Sequence, residues 1–386
     1  MEKKIAILGA TGSVGLQAID VVRSRGYKVG LLSANTDSKN MESLARELLP
    51  ERVVMADEAA ASDLSVRLSD TSVRVLSGAD AICDSIAECE LDTVVNAIIG
   101  EAGLKPTLAT IDAGKRLALA NKESLVIAGD VVMKRLGSSR SELIPVDSEH
   151  SAIFQSLKSG TPCEIKRIFL TASGGPFYGM KASEMKSVTL EDTLRHPTWK
   201  MGRKITVDSA TLMNKGFELI EAVHLFGVEA ERVKVIIHRE SILHSAVEFR
   251  DNTVIAELSV PDMRMCVQYA VDYPNRLDTA SAELDLISLG SLSFAEPDTE
   301  AFPLLALAKR AISEGGAVPA VMNAADEVAV AAFLDGRIGF ADIPIAVAAA
   351  VDRLSDASRA SELDEIISLD RQSRRYTAEF IEKIRE

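Results

Sequence analysis

Through about residue 147 the chain alternates short β-branched runs with longer stretches whose apolar residues recur at helical spacing. Ile5–Leu8, Val29–Ser33, Val53–Met55, Val73–Leu76, Thr93–Ala97, Leu117–Ala120 and Glu142–Pro145 read as strands. Val14–Arg25, Lys39–Leu49, Leu104–Ala113 and Ser124–Leu136 read as helices between them. Strand–helix alternation at this spacing predicts a parallel sheet with helices on both faces. The pattern then changes. Residues 164–171 and 233–258 hold more closely spaced strands, and His244–Phe249, a polar turn at Asp251-Asn252, and Val254–Leu258 read as a hairpin. Residues 173–204 are rich in Gly, Pro, Lys and His with little periodicity, as expected of active-site loops. From about residue 300 the strands stop, and Phe302–Ala311, Pro319–Leu334, Ala341–Leu354 and Ser361–Arg385 predict a small helical bundle. The expected fold is α/β: a Rossmann-like N-terminal domain (1–147), a central α+β domain (148–274), an acidic linker (275–298) and a C-terminal α-helical bundle (299–386).

A chain of 386 residues exceeds one ordinary core, in keeping with several domains. Its formal net charge of −14 argues against nucleic acid or an anionic membrane as partner, since both reward basic surfaces. An anionic substrate then needs a local cluster of cations. The cysteines, Cys83, Cys89, Cys163 and Cys266, form no Cys-x-x-Cys pair, so they read as reduced thiols of a cytosolic protein and not as a zinc or disulfide framework. The opening Met1-Glu2-Lys3-Lys4 and its apolar run resemble a signal peptide, but Gly9, Thr11, Gly12, Ser13 and Gly15 break the run at once. No apolar stretch approaches the roughly 20 residues that span a bilayer. A cytoplasmic location without a membrane partner is expected.

Gly9-Ala-Thr-Gly12-Ser13-Val14-Gly15 follows the first strand and opens the first helix. Glycines allow the tight turn and let backbone amides approach a pyrophosphate. The spacing departs from the dinucleotide fingerprint, and a structural turn uses the same residues; the strand–turn–helix context favours the nucleotide. At the end of the second strand Ser33-Ala34-Asn35-Thr36 carries no carboxylate before Asp37. That leaves room for a ribose 2′-phosphate and favours NADPH, with Lys39 as a further source of charge.

Asp147-Ser148-Glu149-His150 follows a strand-like segment. In an extended chain Asp147 and Glu149 point the same way, as hard oxygen ligands for Mg2+ or Mn2+. The alternative is an acidic helix N-cap, because a helix is expected to begin near Ser151. Farther on, Asn214 and Glu218 share one helical face beside Glu221, while Leu212, Phe217, Leu219 and Ile220 occupy the core side; an amphipathic surface helix also accounts for these charges. Hydroxyls, amides and a cation suited to phosphate are offered by Ser173-Gly174-Gly175, Ser209, Asn214 and Lys215. The loop Arg195-His196-Pro-Thr-Trp199-Lys200-Met-Gly202-Arg203-Lys204 adds cations and the only tryptophan, read either as a lid over substrate or as a structural residue.

With these residues in place the chain resembles the 1-deoxy-D-xylulose 5-phosphate reductoisomerases of non-mevalonate isoprenoid synthesis. The resemblance is carried by Gly9–Gly15, Ala120–Ser124, Pro145–Ser151, Thr171–Phe177, His196–Glu221 and Pro319–Ala325, in family order from end to end. It implies a homodimer with an NADPH domain, a catalytic domain and a helical domain, acting on a small sugar phosphate. It implies metal ligation by Asp147, Glu149 and Glu218. Substrate contacts would come from Lys122, Ser148, Glu149, Ser173, His196, Trp199, Ser209, Asn214, Lys215 and Glu218, with Lys122, Glu149 and His196 serving catalysis. NADPH would meet Thr11, Gly12, Ser13, Val14, Ala34, Asn35, Thr36, Asn121, Glu123 and Gly202. The implied reaction breaks and re-forms a carbon–carbon bond, then reduces the resulting aldehyde. The chain departs from the family at Ala34-Asn35, where a glycine and a basic residue are usual, and at Arg239-Glu240. Two rivals share the glycine turn. A semialdehyde-type dehydrogenase needs an activated cysteine, which neither Cys163 nor Cys266 resembles. A non-catalytic redox sensor has no need of three carboxylates and a cationic loop.

Overall fold

The computed structural model describes residues 3–199, 201–279 and 281–385. Lys200, one of the loop cations named above, lies outside them, as do Met1 and Glu2 of the opening run. The chain divides into two compact units, one comprising the residues up to Ser124, Val132–Ser151 and Asp262–Ala282, the other Leu125–Val131, Ala152–Pro261 and the chain from Glu283 onward.

The first unit is built on seven strands: β1 (Lys4–Leu8), β2 (Lys28–Ala34), β3 (Arg52–Met55), β4 (Arg74–Ser77), β5 (Thr93–Asn96), β6 (Arg116–Leu119) and β7 (Leu143–Pro145). They are ordered β4-β3-β2-β1-β5-β6-β7 with every pair parallel. A sheet covered on both faces needs apolar residues at successive positions, and Ala6, Leu8, Leu31, Val54 and Val94 are buried together with Ile86 from a covering helix. Strand order reverses at β1, which places a crevice at the carboxyl ends of β1 and β5. Two helices that the apolar pattern does not mark, Glu58–Arg67 and Ala79–Glu88, complete the βα alternation. The first is capped by Asp57, whose side chain accepts from the Ala60 amide at 2.8 Å.

Residues 262–282, placed by the sequence pattern in the central region and linker, pack in this first unit. Helix Met263–Asp272 lies against helix Ser13–Arg25. Tyr27 donates its hydroxyl proton to Asp272 at 2.6 Å, Lys3 donates to the Val271 carbonyl at 2.6 Å, and Arg116 donates to the Tyr273 carbonyl at 2.7 Å. Burial and the Asp272 carboxylate push the Tyr27 phenol up to about 12.

The second unit carries β8 (Ile165–Ala172), β9 (Val233–Ile237), β10 (Leu243–Phe249) and β11 (Val254–Leu258), ordered β11-β10-β8-β9. The β10–β11 hairpin is antiparallel as expected, closed by Asn252 at φ 67°. β10 also runs antiparallel to β8, and β8 runs parallel to β9. Helices Arg203–Thr211 and Met213–Phe226 meet at Leu212, whose φ of 60° breaks what would otherwise be one helix. Helix Val318–Leu334, buried around most of its circumference, packs against Asp342–Arg353 and Leu363–Arg385. Lys204 reaches Asp208 at 2.7 Å and the fully buried Asp326 at 3.0 Å. Among the described residues no helix is long and apolar enough to cross a membrane.

Candidate active site

In the first unit the glycine turn is dictated by close approach. A Cβ on Gly15 would come within 2.1 Å of the Gly9 carbonyl oxygen, and one on Gly9, at φ 75°, within 2.6 Å of the Ala97 oxygen. The turn is held by Gly12 N–H donating to the Gly9 carbonyl at 2.9 Å and Ala10 N–H donating to the Ser33 carbonyl at 2.8 Å. Helix Ser13–Arg25 then starts with neither a side-chain cap nor an acidic residue in its first turn. Its leading amides are left for an anion. Thr11, Gly12, Ser13 and Val14 therefore follow β1 at the same sheet end as Ala34, which closes the neighbouring β2, and Asn35 and Thr36 after it. Asp37 caps helix Ser38–Leu48, accepting from the Asn40 amide at 3.1 Å and its side chain at 2.7 Å. The nearest carboxylate is thus occupied by the helix start.

Asn121, Lys122 and Glu123 follow β6, and Asp147, Ser148 and Glu149 follow β7, at the same sheet end. The buried Asn121 amide donates to the Ile98 and Gly100 carbonyls and to Glu123, and its oxygen accepts from the Ser124 amide. That side chain braces the loop after β5. Lys122 and Asp147 pair at 2.8 Å with both side chains largely buried. Burial pushes the Asp147 carboxyl up, but the Lys122 ammonium and the fully buried His150 hold it well below the usual carboxylate range. The sequence reading set an extended segment against a helix near Ser151. The helix in fact starts earlier, at Ser148, and the Ser151 amide donates to the Asp147 carbonyl at 2.8 Å. Asp147 stands just before the helix and Glu149 in its first turn, so strand alternation does not aim them; Ser148 donates its hydroxyl proton to Glu149.

The second unit holds two further groups. His196 Nδ1 accepts from the Thr198 and Trp199 amides at 3.2 and 2.9 Å. Nε2 therefore carries the proton and faces the Ser173 and Ser209 hydroxyl oxygens, each at 3.1 Å. Burial, then the nearby Arg239 charge, lower the imidazole to about 4. Gly174 and Gly175 have φ of 78° and 66°, and a Cβ on Gly175 would meet the Ser209 carbonyl oxygen at 2.6 Å. The Ser173–Gly175 turn is thereby pressed against helix Arg203–Thr211. The Trp199 ring lies 6.2 Å from His244, which burial lowers to about 4, and Gly202 stands at the N-cap of the same helix. One turn of helix Met213–Phe226 forms the second group. Asn214 donates to one Glu218 oxygen at 2.5 Å and Lys215 pairs with the other. Lys215 and Glu218 are buried, so this is not the solvated helix face that was the alternative. Arg239, His244 and His150 were not singled out for a role by sequence reasoning. Arg239 and His244 reach their partners across long stretches of chain and leave no local pattern.

Thiol chemistry finds no support: burial raises Cys83 and Cys89, and Cys163 is exposed ahead of β8.

Residues 5–129 match the family described as 1-deoxy-D-xylulose 5-phosphate reductoisomerase, and residues 143–226 and 258–376 match two C-terminal domain families of the same enzyme. A 1-deoxy-D-xylulose 5-phosphate reductoisomerase of Pelodictyon phaeoclathratiforme is 47% identical over 98% of this chain and 100% of its own. That of Caldanaerobacter subterraneus is 48% identical over 96% and 97%. The solved reductoisomerase of Zymomonas mobilis in complex with NADPH superposes with a TM-score of 0.93 at 42% identity, covering 99% of this chain and 100% of that one. A DOX-P reductoisomerase in complex with NADPH, fosmidomycin and magnesium gives 0.95 at 36% identity, covering 100% and 99%. The chain belongs to the 1-deoxy-D-xylulose 5-phosphate reductoisomerase family.

Proposed function

We propose that this chain converts 1-deoxy-D-xylulose 5-phosphate to 2-C-methyl-D-erythritol 4-phosphate, using NADPH and a divalent cation. The observation that carries the reading is the sharing of one sheet end by an uncapped, glycine-bounded helix start and the carboxylates Asp147 and Glu149. Both cofactors fit the residues present. Free amides and the absence of a ribose-facing carboxylate suit NADPH, and carboxylate oxygens without cysteine, Asp147 held ionised among them, suit Mg2+ or Mn2+. Thr11–Val14, Ala34–Thr36, Asn121, Glu123 and Gly202 would line the nucleotide site; Asp147, Glu149 and Glu218 would hold the cation. Bound there, NADPH supplies hydride and the cation draws electron density from the substrate carbonyl.

The chain's own residues bind, orient and move protons. Ser173 and Ser209 share the single His196 Nε2–H as acceptors, which leaves their own hydroxyl protons for phosphate oxygens. Asn214 and Lys215 join them there. Lys122 and Glu149 are the candidates for moving protons on the substrate hydroxyls, and Ser148 donates to Glu149. His196 and Trp199 belong to a loop that closes over the substrate and excludes water. The functional domains follow residues 1–147, 148–274 and 299–386, with 275–298 between the last two, save that residues 262–282 pack with the first. The working enzyme is a cytoplasmic homodimer, a reading supported by family membership and by the exposed Val254 and Leu258 on edge strand β11. Light scattering at micromolar concentration checks the dimer.

The test is NADPH absorbance decay with 1-deoxy-D-xylulose 5-phosphate, with and without Mn2+, beside Glu218→Gln. Oxidation that needs the metal and is lost in the variant is expected. Oxidation that survives chelation, or a fully active variant, refutes the three-carboxylate site.

A further inference from the structure

Arg239 lies immediately after the His238 that follows β9, and its guanidinium reaches back across the sheet end to the Ser173–Gly175 turn. One nitrogen, Nη1, donates to the Ser173 carbonyl at 2.9 Å and to the Gly175 carbonyl at 2.8 Å. The guanidinium carbon lies 5.1 Å from the centroid of the Tyr178 ring, so the chain from Ser173 to Tyr178 wraps around this one cation. We infer that Arg239 is a positioning residue that locks the Ser173–Gly175 turn in its anion-accepting form by gathering both turn carbonyls away from the ligand side.

The physical reasons are two. Gly174 and Gly175 both adopt positive φ, and such a pair of glycines is the least self-restricted stretch of backbone a chain can have. Within the turn the hydrogen bond from the Gly175 amide to the Ser173 hydroxyl is long at 3.3 Å, so bonds from outside carry much of the restraint, and charge-assisted bonds are the strong kind. Moreover, two carbonyl dipoles beside a phosphate subsite oppose the phosphate, and a guanidinium bonded to both offsets them. The same charge, after burial, helps keep His196 neutral, and a neutral ring with its proton on Nε2 leaves Ser173 and Ser209 their own donors. The arm that carries Arg239 is itself anchored. His238 Nδ1 donates to the Ser293 carbonyl at 3.0 Å, its Nε2 accepts from the Ile242 and Leu243 amides, and Glu240 accepts from the Ser293 hydroxyl at 2.7 Å.

The inference rests on the phosphate reading of Ser173 and Ser209, and the test separates the two. Arg239→Met, Arg239→Lys and Ser209→Ala are compared by steady-state kinetics and by hydrogen–deuterium exchange of a peptide spanning the turn, without ligands. Arg239→Met is expected to speed exchange in that peptide and to raise KM for the sugar phosphate about tenfold, the size of one charge-assisted hydrogen bond. KM for NADPH and the melting temperature are expected to hold. Arg239→Lys, which keeps the charge, recovers part of the loss, and added guanidinium ion rescues Arg239→Met but not Ser209→Ala. Unchanged exchange, or faster exchange with an unchanged sugar-phosphate KM while Ser209→Ala raises it, overturns the role of Arg239. An unchanged KM in Ser209→Ala as well overturns the phosphate reading itself and the positioning role with it.

Discussion

At the scale of single residues, the site depends on groups whose charge state is set by their neighbours. His196 illustrates this: with Nδ1 bonded to two backbone amides, only Nε2–H faces the serines. His196→Asn keeps an acceptor near the Nδ1 position and loses the Nε2 donor, so a KM for sugar phosphate raised about tenfold with little change in melting temperature is expected. The pH dependence has a definite sign. The folded value of about 4 lies below the ordinary 6.5, so protons bind the unfolded chain first. The stability contribution is fully present above pH 6.5 and is lost as pH falls from 6.5 towards 4. Denaturant midpoints between pH 7 and 4 should show a shallower fall in His196→Asn than in the unchanged protein. Lys122 is the second case. Lys122→Met leaves the Asp147 carboxylate buried without its 2.8 Å partner, for which a loss of about 3 kcal/mol in denaturant unfolding is expected. Added Mn2+ should recover part of it if Asp147 is a ligand. Both residues could be named from sequence, but their states could not, because those follow from burial and from partners distant in the chain.

Elements differ in how far their own residues announce them. All seven parallel strands and the β10–β11 hairpin were legible, because doubly covered strands need unbroken apolar runs and the hairpin needs its polar turn. Helices Glu58–Arg67 and Ala79–Glu88 escaped: each is only ten residues long, and the first, rich in alanine, carries a weak apolar stripe. The start at Ser148 escaped because a proline-ended strand runs into the helix with only two residues between. The glycine turn yields a paired prediction. In Gly15→Ala the new Cβ would sit 2.1 Å from the Gly9 carbonyl, so loss of NADPH binding together with a lower melting temperature is expected. In Gly12→Ala the nearest atom is 3.2 Å away, so the fold should survive while NADPH binds more weakly. Nucleotide fluorescence titration and thermal melts on both variants check the contrast.

For the molecule as a whole, charge and chain path matter most. A net charge of −14 repels an anionic substrate at long range, while Lys215 and its neighbours attract it at short range. Salt screens the long-range part first, since the Debye length falls from about 30 Å at 0.01 M to about 8 Å at 0.15 M. A plot of kcat/KM against sodium chloride should therefore rise before it falls; a monotonic fall would show that the net charge has no influence on encounter. The class of fold could be read from the alternation of elements, but the return of residues 262–282 to the first unit could not, since it is written in distant partners such as Tyr27 with Asp272 and Arg116 with Tyr273. That return has a consequence for biosynthesis. A ribosome that has released the seven-stranded sheet has not yet released the helix that covers Ser13–Arg25, and more than a hundred residues of the other unit must be made first. The nascent sheet passes through that interval with this helix face uncovered, which slow translation would prolong and a chaperone would shield, and an expression clone stopped after β7 would inherit the same bare face permanently.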